Sequence, residues 1–315
     1  MPLSLIKLWL VAILPVVTAV CECGYRTNTQ DYWQYSISTT FNGVSTAQFQ
    51  QSSDWKIDSI VYGASSSRHT ATNYTTANVN VVNETLRLTC SAYNASITDS
   101  QLSAQIHTVR NDIKYGSFRA KLSIAGTGTG VIGALFFYAD DTQESDIELL
   151  SSDNTRNVRF TNQPDTTKQI YLPNGLKHTD LSEYRLDWNS KNTKQYVNNV
   201  LSNTFTTDVP SINGSIYLNS WGGSNFAGPS PTSDVTMSVS SINLYFNTSD
   251  SALASSWAKT CAQAKTKVCD IDAQALQQNT TTTSRASNKP KPTTGKHLRG
   301  LAAAAVTAPV WLWRA

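Results

Sequence analysis

The sequence predicts an all-β fold, a large sandwich of two antiparallel sheets. Three observations predict it. Between residues 25 and 257 short runs alternate apolar and polar residues, and Asn, Gly, Ser and Asp separate them. Over the same stretch there is no long segment with helical periodicity. A β-rich region of this length suits two packed sheets better than a small barrel. Of the 315 residues, 40% are hydrophobic and only 15% charged, enough apolar material for one extended core.

The elements follow in order. Phe118, Ala120, Leu122 and Ile124 share one strand face, with Arg119, Lys121 and Ser123 on the other. Residues 131–138 form the most apolar stretch and read as a central strand. The glycine-rich loop before it, 126–130, lacks the Lys-Ser/Thr ending and helix of a phosphate cradle. Tyr184, Leu186 and Trp188 alternate in the same way, as do Ile216, Leu218 and Ser220 against Tyr217, Asn219 and Trp221. Val235, Met237 and Val239 form another set, and Ile242, Leu244 and Phe246 close the series. A short helix is expected within 252–275. No internal repeat is evident.

The termini have a different character. Residues 1–19 read as a secretory signal: Lys7 is its only charge, an apolar stretch follows, and small residues stand at the cleavage position. Six Asn-x-Ser/Thr triplets, at Asn73, Asn83, Asn94, Asn213, Asn247 and Asn279, then become candidate glycan sites. The five cysteines, Cys21, Cys23, Cys90, Cys261 and Cys269, suit disulfides in a secreted chain. Cys261 with Cys269 is the easiest local pair, and Cys21 or Cys23 could tie to Cys90. The expected organisation is a catalytic sandwich over 20–258, a cysteine-containing segment over 259–275, and a disordered Thr/Lys/Pro-rich linker over 276–300. The apolar tail, 301–315, matches a GPI-attachment signal that would anchor the protein by lipid to the plasma membrane. An unstructured tail is the rival reading. Residues 256–315 carry a net charge of +7 and residues 20–255 about −5. A body of that sign is a poor partner for nucleic acid. No metal, cofactor or oligomer is implied, so a monomer is expected.

The sharpest feature is Glu144-Ser145-Asp146-Ile147-Glu148. At the strand period of two, the three acids share one face while Ser145, Ile147 and Leu149 face the other. Three acids in a row on one face repel. Residues four apart have Cα atoms about 13 Å apart. If the two Glu side chains lean together, the carboxyl gap closes to about 5 Å, the spacing of a retaining glycosidase. Repulsion also pushes the neighbouring proton affinities apart, as a nucleophile and a general acid require. On these grounds alone Glu144 and Glu148 cannot be assigned separate roles. An acidic solvated strand and a calcium site are the rivals. The latter usually draws oxygens from several loops.

This triplet resembles the catalytic signature of glycoside hydrolase family 16. The surroundings are similar too: residues 115–121 (YGSFRAK), 134–138 (ALFFY), 183–188 (EYRLDW), 195–200 (QYVNNV) and 219–223 (NSWGG) keep the family's order and spacing over roughly 35–250. The opening CECGY resembles secreted fungal members. The resemblance implies a concanavalin A-like β-jelly-roll, with a sugar cleft across its concave sheet. It implies Glu144 as nucleophile, Glu148 as general acid/base and Asp146 as the assisting acid. The implied partner is a β-glucan polysaccharide, attacked internally with net retention. Hydrolysis and cell-wall transglycosylation share the first step, and a non-catalytic lectin-like module is a third reading. The sequence departs from the family at two places. Phe136 and Phe137 occupy the region where a sugar-stacking Trp is common, and Asn198-Asn199 replaces an Asp-Gly turn. Trp221, Asn219, Trp188, Tyr138 and Arg119 are the candidate substrate contacts. His107 and His178 read as ordinary surface or hydrogen-bonding residues, and Arg156 and Arg159 receive no role.

Overall fold

The computed structural model describes residues 21–68, 70–152, 156–264 and 268–272. Twenty strands follow in chain order: β1 (Tyr25–Arg26), β2 (Tyr32–Trp33), β3 (Tyr35–Thr40), β4 (Trp55–Ile57), β5 (Ile60–Tyr62), β6 (Ala71–Tyr74), β7 (Val79–Val82), β8 (Thr85–Cys90), β9 (Ser100–Thr108), β10 (Ile113–Gly126), β11 (Val131–Asp140), β12 (Gln143–Leu150), β13 (Asn157–Asn162), β14 (Thr166–Tyr171), β15 (Ser182–Trp188), β16 (Thr193–Val197), β17 (Val200–Phe205), β18 (Ser215–Gly222), β19 (Val235–Thr248) and β20 (Cys269–Asp270). Helix α1 (Thr46–Phe49) is one turn, and α2 (Ser251–Gln263) supplies the expected late helix.

The strands form two large sheets. The nine-stranded sheet runs β14-β13-β12-β11-β18-β9-β6-β5, with β4 also on β9. The eight-stranded sheet runs β17-β16-β15-β10-β19-β8-β7, with β3 also on β19. Nearly all pairings are antiparallel; β6 against β9 is parallel. Together they make the expected jelly-roll sandwich. The core between the sheets holds Phe118, Leu122 and Ile124 of β10, Phe137 of β11, Ile147 and Leu149 of β12, Leu186 and Trp188 of β15, and Met237 and Leu244 of β19.

Local sequence explains the irregular points. The inward residues of β19 run 235, 237, 239 and then 242, 244, 246. This change of phase falls where the register with β10 slips between Lys121 and Leu122, because a bulge inserts one extra residue into the alternation. Asn198 and Asn199, at φ 46° and 64°, close the β16–β17 hairpin. Asn tolerates that left-handed backbone, so the turn survives without glycine.

The cysteine expectation is corrected. Cys21 pairs with Cys269, Cys23 pairs with Cys261, and Cys90 is a buried free thiol. Closeness in sequence misled, because β1 and β20 lie side by side with Tyr25 opposite Cys269. The two ends of the domain are therefore sewn together. The boundary expected after residue 258 falls inside α2, which carries Cys261. Asn83, Asn94 and Asn213 are exposed, whereas Asn73 is half-buried. Asn247 has both ends of its amide occupied, accepting from the Gln34 backbone and donating to the Tyr32 carbonyl. Asn279, residues 1–19 and the C-terminal linker and tail lie outside the described residues.

Candidate active site

Strand β12 is central, paired with β11 on one side and β13 on the other. Its alternation places Ile147 and Leu149 in the inter-sheet core, which forces Glu144, Asp146 and Glu148 onto the outer face of the nine-stranded sheet. On the core side, the Ser145 hydroxyl donates to Asn162 Oδ1 at 2.7 Å, fixing β12 against β13.

Registers across the sheet define the surroundings. On β11, Tyr138 stands opposite Glu144, Phe136 opposite Asp146 and Ala134 opposite Glu148. One strand further, Tyr217 pairs with Phe136, Asn219 with Ala134 and Trp221 with Ile132. A second apolar cluster of Ile132, Ala134, Phe136, Leu150 and Ala227 underlies this face, with Tyr138, Tyr217, Trp221 and Phe226 packed against it. Phe136 and Tyr217 stack at 5.1 Å, and His107 of β9 stacks on the same Tyr217 at 5.0 Å. A polar relay crosses the floor beside them. Asn219 Nδ2 donates to Gln105 Oε1 at 3.1 Å, Gln105 Nε2 donates to Asp58 Oδ2 at 2.6 Å, and His107 Nδ1 lies 3.0 Å from Asp58 Oδ1. The buried Asn219 Oδ1 has no hydrogen-bond partner among the described residues. Aromatic faces beside polar groups with spare hydrogen-bonding capacity are what a sugar ring needs, since it offers C–H faces and hydroxyls together.

The three carboxyls hold their protons unusually tightly. Burial, opposed by a hydrogen bond from Asp146 and reinforced by the Asp141 charge, pushes Glu144 up to about 7. Burial and then the Glu144 charge push Glu148 up to about 8, with the Arg159 cation pulling the other way. Asp146, enclosed between both, is pushed well above the usual carboxylate range, first by burial and then by the two Glu charges. Asp146 donates to Glu144, a hydrogen bond that favours the Glu144 carboxylate, whereas the charge that favours the Glu148 carboxylate comes from Arg159. The environment separates two residues that the linear pattern left equivalent. Among the described residues, no group of three His, Cys, Asp or Glu side chains is placed to hold a metal ion.

Residues 66–239 match the model of the glycosyl hydrolases family 16. The chain belongs to that family. Among curated relatives, a β-glucanase of Paenibacillus polymyxa is 32% identical over 121 residues, 36% of this chain and 50% of that protein. A β-glucanase of Paenibacillus macerans is 32% identical over 157 residues, 46% of this chain and 63% of that protein. Congo red hypersensitive protein 1 of Saccharomyces cerevisiae is 30% identical over 123 residues, 35% of this chain and 23% of that protein. The chain thus spans between half and two thirds of the length of these two bacterial relatives. In three dimensions, the Bacillus licheniformis β-glucanase superposes with a TM-score of 0.56 at 20% identity, covering 67% of this chain and 97% of that one. A β-1,3-1,4-glucanase from a mouse hindgut metagenome gives 0.56 at 19% identity, covering 67% and 98%. These structures share the family 16 fold.

Two candidate contacts are corrected. Trp188 is a core residue, 1% exposed, with its indole N–H on the Pro210 carbonyl at 2.8 Å and its ring 4.2 Å from that of Phe137. Its alternation with Tyr184 and Leu186 pointed to the core, and packing confirms that side. Arg119 lies on the outer face of the opposite sheet, buried against Asp272 at 2.7 Å. It belongs to an ionic cluster with Arg185 and Asp187, in which Arg185 Nη1 reaches the same Asp272 oxygen at 3.0 Å. His178 is buried, which leaves the hydrogen-bonding alternative of its two expected settings. The site face also gathers Phe136, Tyr217, His107, Gln105, Asp58 and Arg159, which the sequence reading did not assign. For Phe136 and Tyr217 a signal existed, since they share strand parity with residues already chosen. For Asp58 and His107 it did not, because their neighbours come from strands distant in sequence, and for Arg159 the register of β13 on β12 was needed to set it opposite Glu148.

Proposed function

We propose that this protein is a retaining endo-acting glycoside hydrolase that cleaves β-1,3- or mixed β-1,3-1,4-glucan by double displacement. Glu144 is the nucleophile, Glu148 the general acid/base and Asp146 the residue that hydrogen-bonds to Glu144 and holds it ionised. The observation that carries the reading is the separation of Glu144 from Glu148. Asp146 hydrogen-bonds to Glu144 and favours its ionised form, while burial and the Glu144 charge favour the protonated form of Glu148. Glu144 attacks the anomeric carbon while Glu148 protonates the departing glycosidic oxygen. Water, deprotonated by Glu148, then releases the sugar from Glu144. Trp221, Tyr138 and Asn219 supply stacking and hydrogen bonds to the glucan. The β-glucanase names of the bacterial relatives support the substrate class.

The apolar C-terminal tail and the signal-like N-terminus support a secreted, glycosylated, monomeric protein held at the cell surface by a GPI anchor. A fungal wall enzyme is the setting these features suit, and the yeast relative agrees with it. In such a place a second glucan end could replace water, which would make the protein a transglycosylase. The test incubates secreted protein with a β-1,3-glucan, a mixed-linkage glucan and a labelled oligosaccharide acceptor. Short products expected from wild type should fall by about 10²–10⁴ in Glu148→Gln and vanish in Glu144→Gln. Long labelled products with little new reducing sugar would mark transglycosylation. Wild type no more active than both variants would overturn catalysis on these glucans.

A further inference from the structure

Arg159 sits on β13 directly across from Glu148. Residues opposite one another in an antiparallel pair have Cβ atoms about 4.5–5.5 Å apart, so guanidinium and carboxyl share one patch of the site face. The guanidinium carbon lies 4.6 Å from the centre of the Phe226 ring. Phe226, in the loop after β18, packs on the apolar cluster beneath the site. A long cationic side chain held over a ring in this way keeps its charge in a defined place. Among the described residues, the other titratable groups around Glu148 are Glu144 and Asp146 along its own strand. On the β11 side its register partner is the apolar Ala134, and Tyr138 stands further along, opposite Glu144.

The double-displacement reading, on which this inference rests, asks Glu148 for opposite proton states in its two halves. In the first half it must carry a proton, and the Glu144 anion helps it do so. Once Glu144 is esterified to the sugar that anion is gone, whereas the Arg159 cation remains. Glu148 then faces a cation and a neutral ester, and its ionised form is favoured. In this half a water oxygen bonds to the anomeric carbon while the Glu148 carboxylate takes the water proton. The ester C–O bond breaks with its electron pair returning to Glu144 as carboxylate. We propose that Arg159, steadied by Phe226, is the positioning residue that holds Glu148 as the base of this second half-reaction.

The test uses the secreted protein and an aryl β-gluco-oligosaccharide with a good leaving group, whose first half-reaction needs little acid help. Arg159→Gln should release a burst of aryl alcohol, then turn over about tenfold more slowly near neutral pH. Intact mass spectrometry should show the glycosyl-enzyme accumulating. The acid limb of kcat, which reports ionisation of Glu148 in the slow second half-reaction, should move up by about one pH unit. Arg159→Lys should restore most of the rate and of the profile, and Phe226→Leu should give a smaller change in the same direction. Thermal unfolding checks the fold, and if Arg159→Gln does not fold the other two variants still carry the comparison. An unmoved pH profile without a burst, or a rise in KM alone, would overturn the role. Glu144→Gln and Glu148→Gln run in parallel. If these stay as active as wild type the reading of the site fails; if they are inactive and Arg159→Gln behaves as wild type, only the Arg159 role fails.

Discussion

Replacing Glu148 by Gln should stabilise the protein at alkaline pH while destroying its activity. The reason is a proton imbalance. Burial and the neighbouring Glu144 raise Glu148 from 4.5 to about 8. Between those values the native state holds a proton that the unfolded chain releases. Stability contributed by this group is therefore fully present below about 4.3 and is lost as the pH rises through about 8. Moving one carboxyl over that range corresponds to about 4–5 kcal/mol. Glu148 is only half-buried, and it shares the charge penalty with Glu144, so about 2 kcal/mol is the expected gain from the substitution at pH 8.5. For a domain of this size that is a rise in Tm of about 4–8 °C. At pH 4, where Glu148 is protonated and Gln is its near isostere, the two proteins should melt together. Differential scanning calorimetry of wild type and variant from pH 4 to 9 measures this directly and needs no substrate. A gap in Tm that does not grow with pH, or a variant less stable than wild type at pH 8.5, would refute the view that the carboxyl triplet is held at an electrostatic cost.

The disulfides and the glycan sites make two further predictions. Cys21–Cys269 and Cys23–Cys261 span 248 and 238 residues, yet while either is intact the other closes a ring of only about ten residues. By loop entropy, losing one should cost about 3 kcal/mol and losing both about 8 kcal/mol, so the loss in the double-pair Cys→Ser variant should exceed the sum of the two single losses by about 2 kcal/mol, read from denaturant midpoints. Glycopeptide mass spectrometry of the secreted protein should find Asn83, Asn94 and Asn213 occupied and Asn247 bare, since the Asn247 amide is committed to the backbone of residues 32 and 34; a fully occupied Asn247 would mean that glycosylation precedes closure of that part of the sheet.

Much of the molecule was legible in one dimension because strands write their period directly into the chain. The faces of β10, β12 and β19 could be read from alternation alone, and even the bulge in β19 shows as a slip of phase between Val239 and Ile242. The carboxyl triplet was legible for the same reason: a period of two puts Glu144, Asp146 and Glu148 on one face wherever the strand lies. Alternation gives a residue's face, however, and not what that face meets. Arg119 and Tyr138 both point away from the core, but one sheet turns its outer face to the site and the other to the ionic cluster around Asp272. Trp188 likewise fell inward because β15 presents that parity to the core. The disulfide pairing and the relay from Asn219 to Asp58 join segments that only the order of strands brings together, and the Glu148–Arg159 pair depends on the register between two consecutive strands. The proton affinities that tell Glu144 from Glu148 depend on burial and on neighbours from other strands. Strand period, turns and apolar faces are properties of adjacent residues, so the sequence determined the fold class and the catalytic strand. Partnership and burial are properties of distant residues, and for those the tertiary structure decided.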